Sequence, residues 1–227
     1  MYTFVLLSGG SGSRMKKDIP KQYLLLAGKP VIMHTLERID RIKEIQQIVI
    51  VCEECYASRV KLMVEQYNIQ KPVTFALAGN TRQDSVKSGL EKVETEKVIL
   101  HEAARPFVSE EDFRSLIIKD VENAIYGAPI PFTVLKGCEK VEGILNRSEL
   151  VNVQLPQKFN TDILKSAHMK AEKEQRLFTE DASLVHYYYP NESIEICEGM
   201  DYNLKLTTPM DLILGEMIYK EYFARRK

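Results

Sequence analysis

The sequence holds little from which a covalent or metal scaffold could be built. Four cysteines, Cys52, Cys55, Cys138 and Cys197, stand among 227 residues, too few and too scattered for a secreted disulfide framework. Cys52 and Cys55 form a C-x-x-C pair. A redox pair of that kind opens a helix, whereas this one closes the apolar run Ile48 to Val51. Neither a second such pair nor metal-spaced histidines accompany it, since His34, His101, His168 and His186 are scattered, so zinc is not supported. No apolar run approaches the roughly 18 residues of a membrane span, and no signal-peptide cleavage pattern precedes the first glycines. The expected location is the cytoplasm. A balance of 31 basic against 32 acidic side chains, net −1, removes the basic coat of a general nucleic-acid binder. Repeats and low-complexity stretches are also absent.

What is present is an ordinary globular composition, 44% apolar and 28% charged. At about 150 residues per domain the length gives roughly one and a half domains, read as one α/β domain over residues 1–227 with an embellishment. Burial of about 70% of the unfolded surface at this size completes a core without staples. Apolar runs alternate with helical patterns. Strands are expected at Tyr2 to Leu7, Ile45 to Cys52, Pro72 to Ala78 and Lys97 to His101. Helices are expected at Val31 to Ile39, Ser58 to Tyr67 and Asp84 to Lys92. That alternation implies βαβ units with right-handed crossovers. After about Ile130 the order changes. Thr133 to Val153 carries Gly137 and Gly143 between short β-type runs and reads as a projecting hairpin or arm. Helices at Thr161 to Gln175 and Asp181 to Tyr188, a strand at Ser193 to Cys197 and a closing helix from Pro209 to Phe223 follow.

In an open parallel sheet, ligands bind outside the carboxyl ends of the strands. The first such loop, Ser8 to Arg14, has three glycines that let a backbone approach a phosphate. It is not a P-loop, because no Gly-Lys-Ser/Thr closes it. It is also a poor dinucleotide fingerprint, because Met15 stands where the third glycine belongs. The glycines alone would equally suit a structural turn. Arg14, Lys16, Lys17 and Lys21, four cations within eight residues, tilt the reading toward a polyphosphate, with a solvated charge run as the alternative for Lys16 and Lys17.

Several blocks together carry a resemblance. They are Leu7 to Met15, Pro20-Lys21-Gln22-Tyr23-Leu24, Gly28 to Ile32, Gly79-Asn80 with Arg82 and Asp84-Ser85, His101 to Pro106, Leu155-Pro156-Gln157, Glu180 to Ser183, and Asn203 to Pro209 with Asp211-Leu212. In this order and spacing they resemble the methylerythritol-phosphate and ribitol-phosphate cytidylyltransferase family along essentially the whole chain. The resemblance implies a Rossmann-like nucleotidyltransferase fold, a mostly parallel sheet flanked by helices, with a β-arm near residues 133–153 that pairs two subunits into a homodimer. It implies transfer of CMP from CTP to the phosphate of a small alcohol or polyol, release of pyrophosphate, and a need for Mg²⁺. The product would serve isoprenoid or cell-surface polymer synthesis. Nucleic acid and membrane are not partners in this reading.

By matching positions, Ser8, Gly9, Gly10, Ser11 and Gly12 would cradle the triphosphate, and Gly79, Asn80, Ser85 and Ala103 would line the base and ribose. Arg14, Lys21 and Lys205 would be the catalytic cations. Glu102, Arg105 and Arg147 would meet the acceptor, Arg147 from across the dimer, with Glu102 also a metal ligand. The chemistry suits these types: the acceptor phosphate is already an anionic nucleophile, so the barrier lies in bringing it against a polyphosphate, and positioned cations lower that barrier.

Two positions depart from the family pattern. Glu102 stands where the family usually has aspartate, and Leu155 where a threonine hydroxyl usually faces the acceptor phosphate. The arm also reads Pro131-Phe132-Thr133-Val134-Leu135-Lys136 in place of an Asp-Thr pair. The CTP half of the site is thus kept and the acceptor half altered, which leaves methylerythritol phosphate, ribitol phosphate and another phosphorylated compound open as acceptors. Two other readings stand beside this one: a sugar-1-phosphate nucleotidyltransferase using UTP or GTP, and a non-catalytic nucleotide-binding protein. His101 is expected to be structural, Tyr187 to Tyr189 to pack, and Asp181 and Asp211 to cap helices.

Overall fold

Every residue of Tyr2–Leu7 (β1) is buried, and so are the last five of Ile45–Cys52 (β4), as the middle strands of a parallel sheet covered on both faces require. In the computed structural model, which describes residues 1–10 and 19–224, these two strands pair in parallel. They are joined by Val73–Leu77 (β5), Lys97–Glu102 (β6), Asn123–Pro129 (β7), Val151–Asn160 (β10) and Ile194–Glu198 (β11) in one seven-stranded sheet of order β11-β7-β10-β6-β1-β4-β5. Only β10 runs against its neighbours in that sheet, β6 and β7, while Leu25–Leu26 (β2) and Lys29–Pro30 (β3) form a separate antiparallel pair.

The pleat alternates side chains between two cores. Phe4, Leu6, Ile48, Ile50 and Ile99 face one side and meet Ile32 and Leu36 of Val31–Asp40 (α1), Val60 of Glu54–Gln66 (α2), and Phe113 and Leu116 of Glu110–Ile118 (α4). Val5, Leu7, Val49, Val51, Val98 and Leu100 face the other. They meet Val86 and Leu90 of Arg82–Leu90 (α3), Leu164 of Thr161–Lys173 (α5), and Leu184 of Asp181–Tyr188 (α6). The helix Pro209–Ile218 (α7) lies over a smaller cluster of Leu26, Val31, Phe107 and Leu206. A π-helical turn over Tyr219–Phe223 ends it, so the closing helix read to Phe223 is not α-helical throughout.

Residues 131–150 contain no buried side chain. Within them Leu135–Lys136 (β8) pairs only with Gly143–Ile144 (β9). Gly137 there has φ +119, and a Cβ would come within 1.9 Å of the Lys140 carbonyl oxygen. Phe132, Val141 and Ile144 are each at least 70% exposed on this excursion.

The C-x-x-C pair is placed differently from its sequence reading. The helix expected from Ser58 begins at Glu54, so Cys52 ends β4 while Cys55 sits in the first turn of α2. Burial pushes the Cys52 thiol up to about 11, which leaves it inert at neutral pH. The sequence reading also leaves α4 and β7 unassigned. A signal for α4 was present: Ser109 and Asp112 form a capping box. No helix among the described residues is long and apolar enough to cross a membrane.

Ser109→Ala removes the side-chain acceptor of the Asp112 amide and is expected to lower stability by about 1 kcal/mol, measured as a lower urea midpoint at unchanged slope.

Candidate active site

The carboxyl ends of β1, β4 and β6 open into a cleft of about 430 Å³. Its walls are the Ser8-Gly9-Gly10 turn, the Gly79-Asn80-Thr81 loop that starts α3, Glu102 at the end of β6, Lys21, and Lys205 from the segment before α7.

The Pro-Lys-Gln-Tyr block anchors the glycine turn. Gln22 Nε2 donates to the carbonyls of Ser8 (2.6 Å) and Gly10 (3.1 Å), and the Ser8 hydroxyl donates to the Tyr23 oxygen (3.2 Å). Gly9 is required by packing, because a Cβ there would lie 2.2 Å from that of Ala78, while Gly10 faces open space. Lys21 is buried at the cleft wall. Ser11, Gly12 and Arg14 lie outside the described residues.

The second loop is ordered from within. Thr81 and Asp84 form a capping box, the Gly79 amide donates to Ser85 Oγ (3.0 Å), and that hydroxyl donates to the Thr81 carbonyl (2.9 Å). A Cβ at Gly79 would meet that of Asp84 at 2.3 Å. Ser85 lines the cleft, but its hydroxyl holds the loop in shape.

Glu102 is the electrostatic centre. Its Oε1 accepts from Arg82 Nε (3.3 Å), and its Oε2 lies 2.7 Å from Lys205 Nζ and 3.7 Å from Arg105 Nε. Arg82 also reaches Asp181, with Nη2 2.6 Å from Oδ2, and His168 Nε2 lies 3.0 Å from Asp181 Oδ1. Burial alone would raise the Glu102 carboxyl. Lys205, Arg82 and Arg105 outweigh it and hold the group down to about 2. Asp181, wholly buried, is likewise held at about 2 by Arg82 and His168 against the effect of burial.

The segment carrying Lys205 is pinned to the sheet. Asn203 Nδ2 donates to the Leu155 carbonyl (2.7 Å), Arg105 Nη1 to the Asn203 carbonyl (3.0 Å), and the Leu206 amide to the Ala104 carbonyl (2.8 Å).

Most of the expected residues therefore meet: Ser8, Gly9, Gly10, Lys21, Gly79, Asn80, Ser85, Glu102 and Lys205 all line one cleft. Arg105 stands just behind Glu102. Ala103 is fully buried, with its amide on the Leu7 carbonyl, and does not line the cleft. Arg147 lies in the exposed excursion and donates to the Pro131 carbonyl, away from this chain's cleft. Leu155 packs its side chain into the core of the α3, α5 and α6 face. A metal on Glu102 does not fit, because its carboxylate oxygens face three cations, and no group of three His, Cys, Asp or Glu among the described residues could hold an ion.

The capping reading holds for Asp211 but not for Asp181. Glu180 caps α6 by accepting from the Ala182 and Ser183 amides, whereas Asp181 points to Arg82. His101 is structural as expected: it is buried, hydrogen-bonded to the Arg105 carbonyl, and lowered to about 3 chiefly by burial. The sequence reading assigned no role to Arg82 or His168; only the place of Arg82 in the Gly79-Asn80 block signalled it.

The family model of 2-C-methyl-D-erythritol 4-phosphate cytidylyltransferase matches residues 2–221. The chain belongs to that family. A curated relative of that name from Halalkalibacterium halodurans is 35% identical over 97% of each chain. The chloroplastic one of Oryza sativa is 36% identical over 96% of this chain and 74% of its own length. The solved structure of 4-diphosphocytidyl-2C-methyl-D-erythritol synthase from Anaerococcus prevotii superposes with a TM-score of 0.85 at 26% identity, covering 96% of both chains. Membership makes the chain a CTP-dependent nucleotidyltransferase of Rossmann-like fold. The readings as a UTP- or GTP-using enzyme or a non-catalytic binder are not favoured.

The depressed carboxyls set a pH dependence of stability. A group held below its unfolded value contributes stability in full above that value and loses it as pH falls through the folded one. Glu102→Gln should therefore be less stable than wild type by on the order of 2 kcal/mol at pH 7, less than for a fully dry pair because Lys205 is partly exposed. The gap should close as pH falls from about 4.5 to about 2, as read from urea midpoints across that range.

Proposed function

We propose that the chain transfers CMP from CTP to the phosphate of 2-C-methyl-D-erythritol 4-phosphate or a close polyol phosphate, releasing pyrophosphate. The observation that carries this reading is the convergence of Lys21 and Lys205 with a glycine turn on one cleft, beside a Glu102 carboxylate that Arg82 and Lys205 hold. The relatives, 34–37% identical and all named for 2-C-methyl-D-erythritol 4-phosphate, support the acceptor class. Leu155 does not speak against it, since its side chain belongs to the core. Glu102, although longer than the family's usual aspartate, is drawn in by its three cations.

The chemistry follows from charge. An acceptor phosphate attacks the α-phosphorus of CTP without a proton to remove, so the site needs no general base. No histidine lines the cleft, and Glu102 stays ionised at neutral pH. Lys21 and Lys205 neutralise the triphosphate and the developing charge on pyrophosphate, Lys205 nearest the acceptor side through Glu102. Arg14 joins them in this reading. Glu102 orients the acceptor, its carboxylate taking hydroxyl hydrogen bonds, and Arg105 behind it holds that carboxylate in place. Mg²⁺ enters as an ion accompanying the triphosphate rather than one held by Glu102. A homodimer through residues 133–153, with Arg147 serving the partner's cleft, completes the proposal, as does the cytoplasmic location expected from the sequence. The exposed Phe132, Val141 and Ile144 support an arm that a second copy covers.

Pyrophosphate release should require CTP over UTP, GTP and ATP, and should proceed with 2-C-methyl-D-erythritol 4-phosphate. Lys21→Ala should lower that turnover by roughly 10²-fold or more with an unchanged circular dichroism spectrum; near-wild-type rates would remove Lys21 from the triphosphate site. Replacing residues 133–148 by a short Gly-Ser linker should give a monomer in light scattering, and a variant that remains dimeric would contradict the arm's role.

A further inference from the structure

Beyond Glu102 the charge network runs away from the substrate space. The guanidinium of Arg82 has two edges in use: Nε serves Glu102 Oε1 at 3.3 Å, and Nη2 serves Asp181 Oδ2 at 2.6 Å. Asp181 does not line the cleft, and its side chain is 1% exposed. Burying a carboxylate is unfavourable unless it is paired, and α6 does not require this one, since Glu180 already caps the helix and is itself held by Gln157 Nε2 at 2.6 Å. What Asp181 contributes is a second fixed anion on the far side of Arg82. Its own orientation comes from the buried His168, 3.0 Å away on the neighbouring helix α5.

An arginine with one carboxylate partner can pivot about its long side chain and turn to an incoming phosphate. Clamped between two carboxylates, its planar fork has one orientation. We propose that Arg82 is a positioning residue for Glu102, and that Asp181, oriented by His168, keeps Arg82 on Glu102 when the polyphosphate enters the cleft. The assignment rests on the proposed function, in which Glu102 meets the acceptor. It makes acceptor use depend on a residue that touches neither substrate. Among the described residues Asp181 is linked to Glu102 through Arg82, and the Gly79 to Thr81 loop on the nucleotide side is held by its own Thr81, Asp84 and Ser85 bonds. Loss of Asp181 should therefore be felt by the acceptor and not by CTP.

The test is Asp181→Asn, with CTP affinity measured by calorimetry and steady-state kinetics measured against 2-C-methyl-D-erythritol 4-phosphate at saturating CTP. CTP affinity should stay within about twofold, while acceptor kcat/KM falls on the order of 10²-fold, as for a misplaced reacting group, with most of the loss in KM. Unchanged acceptor kinetics, or equal losses for both substrates, would overturn the assignment. If Asp181→Asn does not fold by circular dichroism, Arg82→Lys decides: it keeps the charge but cannot hold both carboxylates, and it should show the same acceptor-selective loss, with wild-type acceptor kinetics overturning the proposal. Absence of turnover in the wild type would instead contradict the proposed function and this inference with it.

Discussion

A carboxylate at the end of β6 is held by cations from three separate parts of the chain, Arg82 at the start of α3, Arg105 just after β6, and Lys205 before α7. Each of these is fixed by backbone that would otherwise be loop. The capping box of Thr81 and Asp84 sets Arg82, the His101 ring holds the Arg105 carbonyl, and Asn203 ties the Lys205 segment to Leu155. The ion cluster thus fastens the mouth of the sheet, where a parallel fold has the fewest backbone bonds of its own. Buried charges of one sign would repel. Here one anion among three cations, backed by a second anion, keeps the cleft cationic enough for a polyphosphate without leaving any of them uncompensated.

The glycine turn solves a different problem. A turn that lines a cleft must stay close to the sheet with no side chain in the way, and here each constraint has its own residue. Gly9 gives room for Ala78, Gly10 leaves the cleft side open, and Gln22 holds both neighbouring carbonyls. The sequence distance between the turn and its anchor is short, which is why the Pro-Lys-Gln-Tyr block stands out in the sequence along with the glycines.

Strands and helices with strong local patterns were legible. The buried strands β1 and β4 read as continuous apolar runs, and α6 was bounded correctly because its apolar period and acidic start agree. The antiparallel β10 was not, because its first four residues are exposed or half-buried and the next five are buried, so no single period runs through it. The cleft was legible as far as a family's motif carries it. The Arg82, Asp181 and His168 chain was not, because it joins residues about a hundred positions apart whose local signals say something else: an arginine at a helix start, an aspartate next to a cap, a histidine in an amphipathic helix. Asp181 shows the limit most clearly, since from sequence it is indistinguishable from its capping neighbour Glu180.

The site depends on Glu102 being a permanently ionised carboxylate fixed by its cations. The most direct measurement is an NMR titration of the Glu102 side-chain carboxyl carbon in the folded protein. The carboxyl should show no titration from pH 9 down to pH 4 and a midpoint near 2. A midpoint near the ordinary glutamate value of about 4.3 would mean that the cations do not hold this carboxylate, and would contradict the arrangement on which the site is built.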